Sequence, residues 1–451
     1  MKRLIFAISV VLTLASTSTS VNAQEPVRHD LRVTLYPEEQ RLTVKDTLTV
    51  PEDLLPDLPF LLHRGLEPSS PTPGVRIVRV TGKPETIPLE SFRVTLPPGK
   101  KTFVLEYGGN IYHPLAPYGK EHARGFKQTA GMISREGVYL ARSSFWYPIF
   151  GEGLLIFTLQ VEVPPGWNAI SQGDRTLYAR GVDTTSLRWE SPEPQEEIFI
   201  VAGKFTQYRQ PAGRAEAMVF LRTPDRDLAK RYLDATARYI ALYEKLIGPY
   251  PYGKFALVEN FWETGFGMPS FTLLGPKVIR FPFILHSSYP HEILHNWWGN
   301  SVFPDYTKGN WAEGLTAYLS DHLIKGERGS AVEYRQATLQ KYADYVLSGR
   351  DFPLAQFRSR HSSPSETVGY GKSLMFFHML RMRLGDEAFV KGLRDFYQEN
   401  RFRFASFDDL RSSFEGTSGK DLRSEFNQWV TQPGAPKIKV SRAKVEPEGD
   451  G

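Results

Sequence analysis

The apolar positions of this chain change their period once. From about residue 28 to 207 they alternate with polar ones: Leu31, Val33 and Leu35, then Leu42 and Val44, Phe92, Val94 and Leu96, and Phe157, Leu159, Val161 and Val163. A period of two places each set on one face of a strand. Turn tracts such as Pro97-Pro98-Gly99 separate the runs, so this half predicts an all-β domain, a sandwich or a saddle-like sheet. After about residue 208 the spacing becomes helical. Thr223 as cap with Pro224 in the first position opens a predicted helix that reaches Leu246 and stops at Gly248. Two short strands are expected near 254 to 258 and 270 to 274, and helical runs over about 330 to 347, 371 to 399 and 406 to 431. The pattern describes a multidomain chain: a β domain over 24 to 207, a mainly helical α+β domain over 208 to 432, and a tail or the start of a further domain over 433 to 451.

The length of 451 residues accommodates two cores of ordinary size. Lys2 and Arg3, the apolar run from Leu4 to Ala15 and the small-residue site Val21-Asn22-Ala23 read as a secretory signal peptide over 1 to 23, with Gln24 the first mature residue. That run is too short to span a bilayer, and no later segment approaches about eighteen uninterrupted apolar residues. No stable membrane insertion is expected, and a periplasmic or secreted location is. The chain has no cysteine, so neither disulfides nor thiol-linked lipid is available and stability rests on the cores. Removing Lys2 and Arg3 from the formal +5 leaves +3. With no basic cluster interleaved with aromatics, nucleic-acid binding is not indicated. The oligomeric state is not encoded in any pattern found here.

The chemistry concentrates in His291-Glu292-Ile293-Leu294-His295. Ser287 and Ser288 are capping types and Pro290 suits a first turn, so the tract predicts a helix. Residues four apart share a helix face, which lets His291 and His295 aim two imidazoles at one ion. Glu292 stands at the edge of that face, where it can take a proton from a metal-activated water. Two histidines on a helix are often an ordinary amphipathic pair; Glu313 changes that balance. It opens a second helical pattern through Leu315, Ala317, Tyr318, Leu319, His322 and Leu323, and a short loop can fold it back as the third ligand. Two His and one Glu with an open position form a catalytic zinc set, with one Zn2+ per chain.

The tract from His291 to Leu319, HEILHNWWGNSVFPDYTKGNWAEGLTAYL, resembles the metal-binding segment of the aminopeptidase N-type gluzincin zinc metallopeptidases, peptidase family M1. Trp298 and Asn300, then Trp311, Glu313 and Gly314, match it, with one loop residue fewer before the Glu than in most members. Gly369-Tyr370-Gly371-Lys372-Ser373 resembles the family's Y-x-K-G segment, which implies that Tyr370 donates to the oxyanion. SSFWYP at 143 to 148, IFIVAGKF at 198 to 205, GPYPYGKF at 248 to 255 and WVTQPGAPKIKV at 429 to 440 extend the likeness over nearly the whole mature chain. The resemblance implies a thermolysin-like catalytic domain, peptide or protein substrates, and a cleft between a strand edge and the zinc helix that holds an extended peptide.

One departure bears on specificity. The family anchors the substrate's α-amine with the Glu of a G-x-M-E-N strand, whereas this chain reads Gly265-Phe266-Gly267-Met268-Pro269-Ser270. Gly267 and Met268 are expected to border the substrate. Glu263 or Glu259 could replace the anchor, or could equally be solvated residues at a strand end. The leading expectation is a zinc metallopeptidase, exo- or endo-acting. The alternative is a catalytically weak or inactive peptide-binding envelope protein that keeps the fold. Glu292 favours the enzyme, because a binder has no use for a general base. Gly371-Lys372-Ser373 lacks the upstream glycine of a phosphate loop, that place being Glu366. The remaining histidines, among them His29, His63, His113, His322 and His378, show no metal-ligand spacing.

Overall fold

A computed structural model describes residues 25 to 80, 89 to 117, 127 to 346, 349 to 435 and 443. The expected signal segment and most of the tail lie outside the described residues. The alternating runs are strands, and no residue of the four sets named above is more than 4% exposed. Val27–Tyr36 runs parallel to Leu155–Val163 and antiparallel to Arg41–Thr49 inside a six-stranded sheet bounded by Asp174–Arg180 and Thr102–Asn110. A three-stranded sheet (Asp57–His63, Leu89–Thr95, Arg76–Val80), a four-stranded one and the two-stranded ribbon Ala116–Pro117 with Lys127–Gln128 also belong to the β-rich part.

A five-stranded sheet joins this part to the helices. Its order is Thr206–Ala212, Ala215–Leu221, Lys254–Glu259, Phe271–Leu274, Gly265–Met268. The inner strands are buried on both faces, which is why they read as near-continuous apolar runs. Met218, Phe220, Ala256 and Val258 belong to the core shared with the β-rich part. Their neighbours Ala217, Val219, Leu221, Phe255 and Leu257 belong to the core under the helices. Lys254 is the exception, at 3% exposure. Its Nζ donates to Ser171 O at 2.8 Å, to Ser270 O at 3.1 Å and to Ser270 Oγ at 2.7 Å. Burial pushes its pKa well below the ordinary lysine value, and the three acceptors compensate the lost solvent.

The helical half departs from the expected pattern in detail. The cap of Arg226–Leu246 is Asp225, whose Oδ1 accepts from Leu228 N at 2.9 Å, and not Thr223. A carboxylate at that place is an acceptor aligned with the helix dipole. The single run expected over 371 to 399 is two helices, Ser373–Leu384 and Asp386–Asn400, separated at Gly385 with φ 86°. Strand Gly265–Met268 was not anticipated, since two glycines in four residues give little strand propensity; pairing with Phe271–Leu274 creates it. No helix of the described residues is long and apolar enough to cross a membrane.

Candidate active site

Ser288–Leu294 is the helix that carries the HEILH tract, with His295 as its C-cap. His291 Nε2 and His295 Nε2 lie 3.1 Å apart. Glu313 Oε2, from Ala312–Ala317, stands 3.5 Å from the first and 3.3 Å from the second. A tetrahedral ion with ligand bonds of about 2.0–2.1 Å has edges of about 3.3 Å, so these three atoms outline one face of such a site. Glu313 Oε2 is buried without a hydrogen-bond partner, an orphaned anionic acceptor facing two imidazole nitrogens. Burial works against its charge, yet His295 and His291 hold its carboxyl well below the ordinary range. The donor set therefore fits a divalent cation.

The fold orients the ligands from behind. His295 Nδ1 donates to Trp298 O at 2.9 Å, and the turn that presents this carbonyl needs Gly299 at φ 110°. His291 Nδ1 is 3.2 Å from Asp321 Oδ2. Each contact leaves Nε2 with its lone pair toward the ion. The reading of the sequence missed Asp321. It follows Glu313 on a helix interrupted by a π turn over Tyr318–His322, and the wider turn brings Asp321 back onto the face from which Glu313 projects.

Glu292 is beside the triad. Burial raises its pKa above the ordinary carboxylate value, with His291 and His295 opposing that rise. Tyr370 sits in a second π turn, Thr367–Lys372, with its ring stacked on His291 at 6.3 Å and 14°. Burial, and then the nearby Glu313 carboxylate, push its phenol well above the usual value. It stays an O–H donor at neutral pH.

Gly267 lies in the edge strand of the five-stranded sheet, and a Cβ there would come 2.2 Å from Glu292 Oε2. The strand edge and the base are thus in contact. Met268 turns its side chain into the core at 2% exposure, leaving only backbone for the cleft. The turn after it is built for support: Ser270, buried at φ 65°, donates its N–H to Asn296 Oδ1 at 2.7 Å. Asn296 Nδ2 in turn donates to the carbonyls of Glu292 and Ile293.

The two upstream glutamates differ: Glu259 has both oxygens engaged, whereas Glu263 keeps Oε2 buried without a hydrogen-bond partner. Glu259 is 2% exposed, pairs with Arg280 at 2.6 Å and accepts from Arg222 N at 2.8 Å. It is not the solvated strand-end residue that was one reading of the sequence, because the ion pair and the backbone N–H take up both oxygens. Glu263 Oε1 accepts from Lys277 N at 2.9 Å. It lies beyond the Gly265–Leu274 pair, at the opposite end of the hairpin from Met268 and Phe271.

Residues 286 to 429 match the Peptidase family M1 domain. The matched stretch holds both helices of the candidate metal site and Tyr370. Among curated proteins the chain is 26% identical to aminopeptidase B of Rattus norvegicus over 345 residues, 69% of this chain and 51% of that protein. It is 27% identical to the mitochondrial aminopeptidase 2 of Saccharomyces cerevisiae over 235 residues, 46% of this chain and 24% of that protein. The chain thus spans about half or less of these relatives. A solved structure of an M1 zinc metallopeptidase variant from Deinococcus radiodurans, bound to a Tyr-Ser-Ala substrate, shares the fold at a TM-score of 0.70 and 19% identity, covering 92% of this chain and 96% of that one.

Proposed function

We propose that this protein is a zinc-dependent metallopeptidase. The triangle of His291 Nε2, His295 Nε2 and the orphaned Glu313 Oε2, with Glu292 and Tyr370 on the same cleft, carries the reading. Held by those three side chains, zinc would supply a Lewis acid that polarises the scissile carbonyl and acidifies water. Glu292 takes the proton of the attacking water and returns it to the leaving amine. The Tyr370 hydroxyl donates to the oxygen on which charge develops. Asp321 keeps His291 in its ligating tautomer. The outer edge of Gly265–Met268 offers backbone groups to a substrate chain laid beside it in extended form.

The altered tract supports broader end tolerance than a strict aminopeptidase has. With Pro269 in the place of the family's anchoring Glu, Glu259 engaged by Arg280 and Arg222, and Glu263 beyond the far end of the hairpin from Met268 with its unpartnered Oε2 buried, none of these positions presents an exposed carboxylate to a substrate amine. The protein cleaves peptides with blocked amino termini and at internal bonds. One peptide in free and acetylated forms tests this. Cleavage of both supports it, and removal of single residues from the free form alone contradicts it. The amino-terminal pattern of Lys2, Arg3 and the apolar run supports export to the periplasm or medium, which fractionation of expressing cells would check.

A further inference from the structure

One histidine pair has no part in that chemistry. His63 closes strand Asp57–His63 and is 6% exposed; His113 follows strand Thr102–Asn110. Their Nε2 atoms are 2.9 Å apart, with the rings inclined by 59°. His63 Nδ1 lies 2.7 Å from the carbonyl of Arg64. A carbonyl only accepts, so Nδ1 carries the proton and Nε2 directs its lone pair at His113. His295 has the same two-part arrangement: Nδ1 donates to a backbone carbonyl and Nε2 faces a second imidazole Nε2 at 3.1 Å.

The pair is also held in place. His63 N donates to Phe145 O at 2.7 Å and His113 N to Gly131 O at 3.0 Å. Thr129 Oγ1 donates to His113 O at 2.7 Å. Two backbones fixed in different sheet segments present the imidazoles to each other with little entropy left to lose on binding. Burial lowers both pKa values, and for His63 the hydrogen bond to the Arg64 carbonyl only partly opposes that fall. Both rings are therefore neutral at pH 7, the form that ligates.

We propose that His63 and His113 form a second metal site, outside the catalytic cleft, that takes a divalent late-transition ion through their two Nε2 atoms. Imidazole nitrogen suits zinc, copper or nickel and is a poor ligand for magnesium or calcium. Water fills the other positions. The tetrahedral edge of about 3.3 Å requires the pair to open by only a few tenths of an ångström. With two protein ligands and no carboxylate, the site binds more weakly than the triad and fills after it. Fifty positions of sequence separate the two residues, which is why spacing alone did not reveal them. The proposal does not depend on the peptidase reading, since it makes no use of the cleft.

The test is metal uptake by the whole protein after chelator treatment, by equilibrium dialysis at micromolar free Zn2+ and separately Cu2+, for the parent, His63→Gln and His113→Asn. The parent should take up one more equivalent of at least one ion than either variant, and His113→Asn should keep the parent's peptide hydrolysis. With the triad first loaded with Zn2+, electron paramagnetic resonance of Cu2+ added as the next equivalent should show two nitrogen ligands in the parent and fewer in His113→Asn. Should buried His63→Gln fail to fold, the half-buried His113 alone decides. Equal uptake of both ions by parent and His113→Asn would overturn the site and leave a plain imidazole–imidazole hydrogen bond.

Discussion

Gly267 lies against Glu292: a methyl group at position 267 would stand 2.2 Å from Glu292 Oε2 and 3.8 Å from His295 Cδ2. The glycine is there for close approach, because its backbone is the wall against which the base rests. Gly267→Ala must displace either the strand edge or the carboxylate. A misplacement of about 1 Å at a reacting group costs roughly a hundredfold. The variant should keep its full metal content while kcat falls by about that factor. Unchanged kcat would show that Glu292 has room to spare and that the contact is incidental.

In the proposed site Asp321 would act on the metal through His291 and not on the substrate. Asp321→Asn keeps the shape but weakens the charge-assisted contact at 3.2 Å, and loss of such a partner typically lowers affinity by roughly ten- to a hundredfold. Competition with a chelator of known affinity measures it. A variant that holds zinc as tightly as the parent would return Asp321 to an ordinary surface role.

Tyr370→Phe separates packing from chemistry. The ring stays stacked on His291, and only the hydroxyl is lost. The expected result is an unchanged metal content with kcat reduced roughly a hundredfold or more. If the phenylalanine enzyme turns over at the parent rate, the hydroxyl is not an oxyanion donor.

Glu196 and Glu197 give a pH dependence of stability whose sign is fixed. Burial and the neighbouring Glu197 charge push Glu196 up to about 7, and burial pushes Glu197 up to about 6, against an ordinary value of 4.5. Between pH 4.5 and 7 the folded chain therefore binds more protons than the unfolded one, and these two groups destabilise it as pH rises. Glu196→Gln removes part of that penalty. Its thermal midpoint should exceed the parent's at pH 8, and the gap should close as pH falls below about 4.5. A variant less stable than the parent at pH 8 would mean that the ionised carboxylate is favourably partnered.

The local and periodic features were legible in the sequence. Alternation located Val27–Tyr36 and Leu155–Val163, and i, i+4 spacing paired His291 with His295. Glu313 was accessible because its helix starts at a recognisable Trp-Ala-Glu-Gly tract. What escaped depends on tertiary pairing. Gly265–Met268 becomes a strand only against Phe271–Leu274. Asp321 reaches His291 through a π turn that no hydrophobic pattern announces. His63 and His113 meet because two separate strands end side by side. Glu259 stayed open between an amine anchor and a solvated residue because Arg280, its partner, is twenty-one positions away and beyond a hairpin.

The proposed chemistry turns on Glu292 as the base of a metal-dependent hydrolysis. Glu292→Gln keeps the side chain's shape beside Gly267 and removes its ability to accept a proton. The decisive measurement is the initial rate of peptide hydrolysis by the parent and Glu292→Gln, each assayed at equal, measured zinc content. Equal metal is expected, with the variant's rate at the background of the uncatalysed reaction. A Glu292→Gln protein that hydrolyses peptides at the parent rate with zinc in place would contradict it.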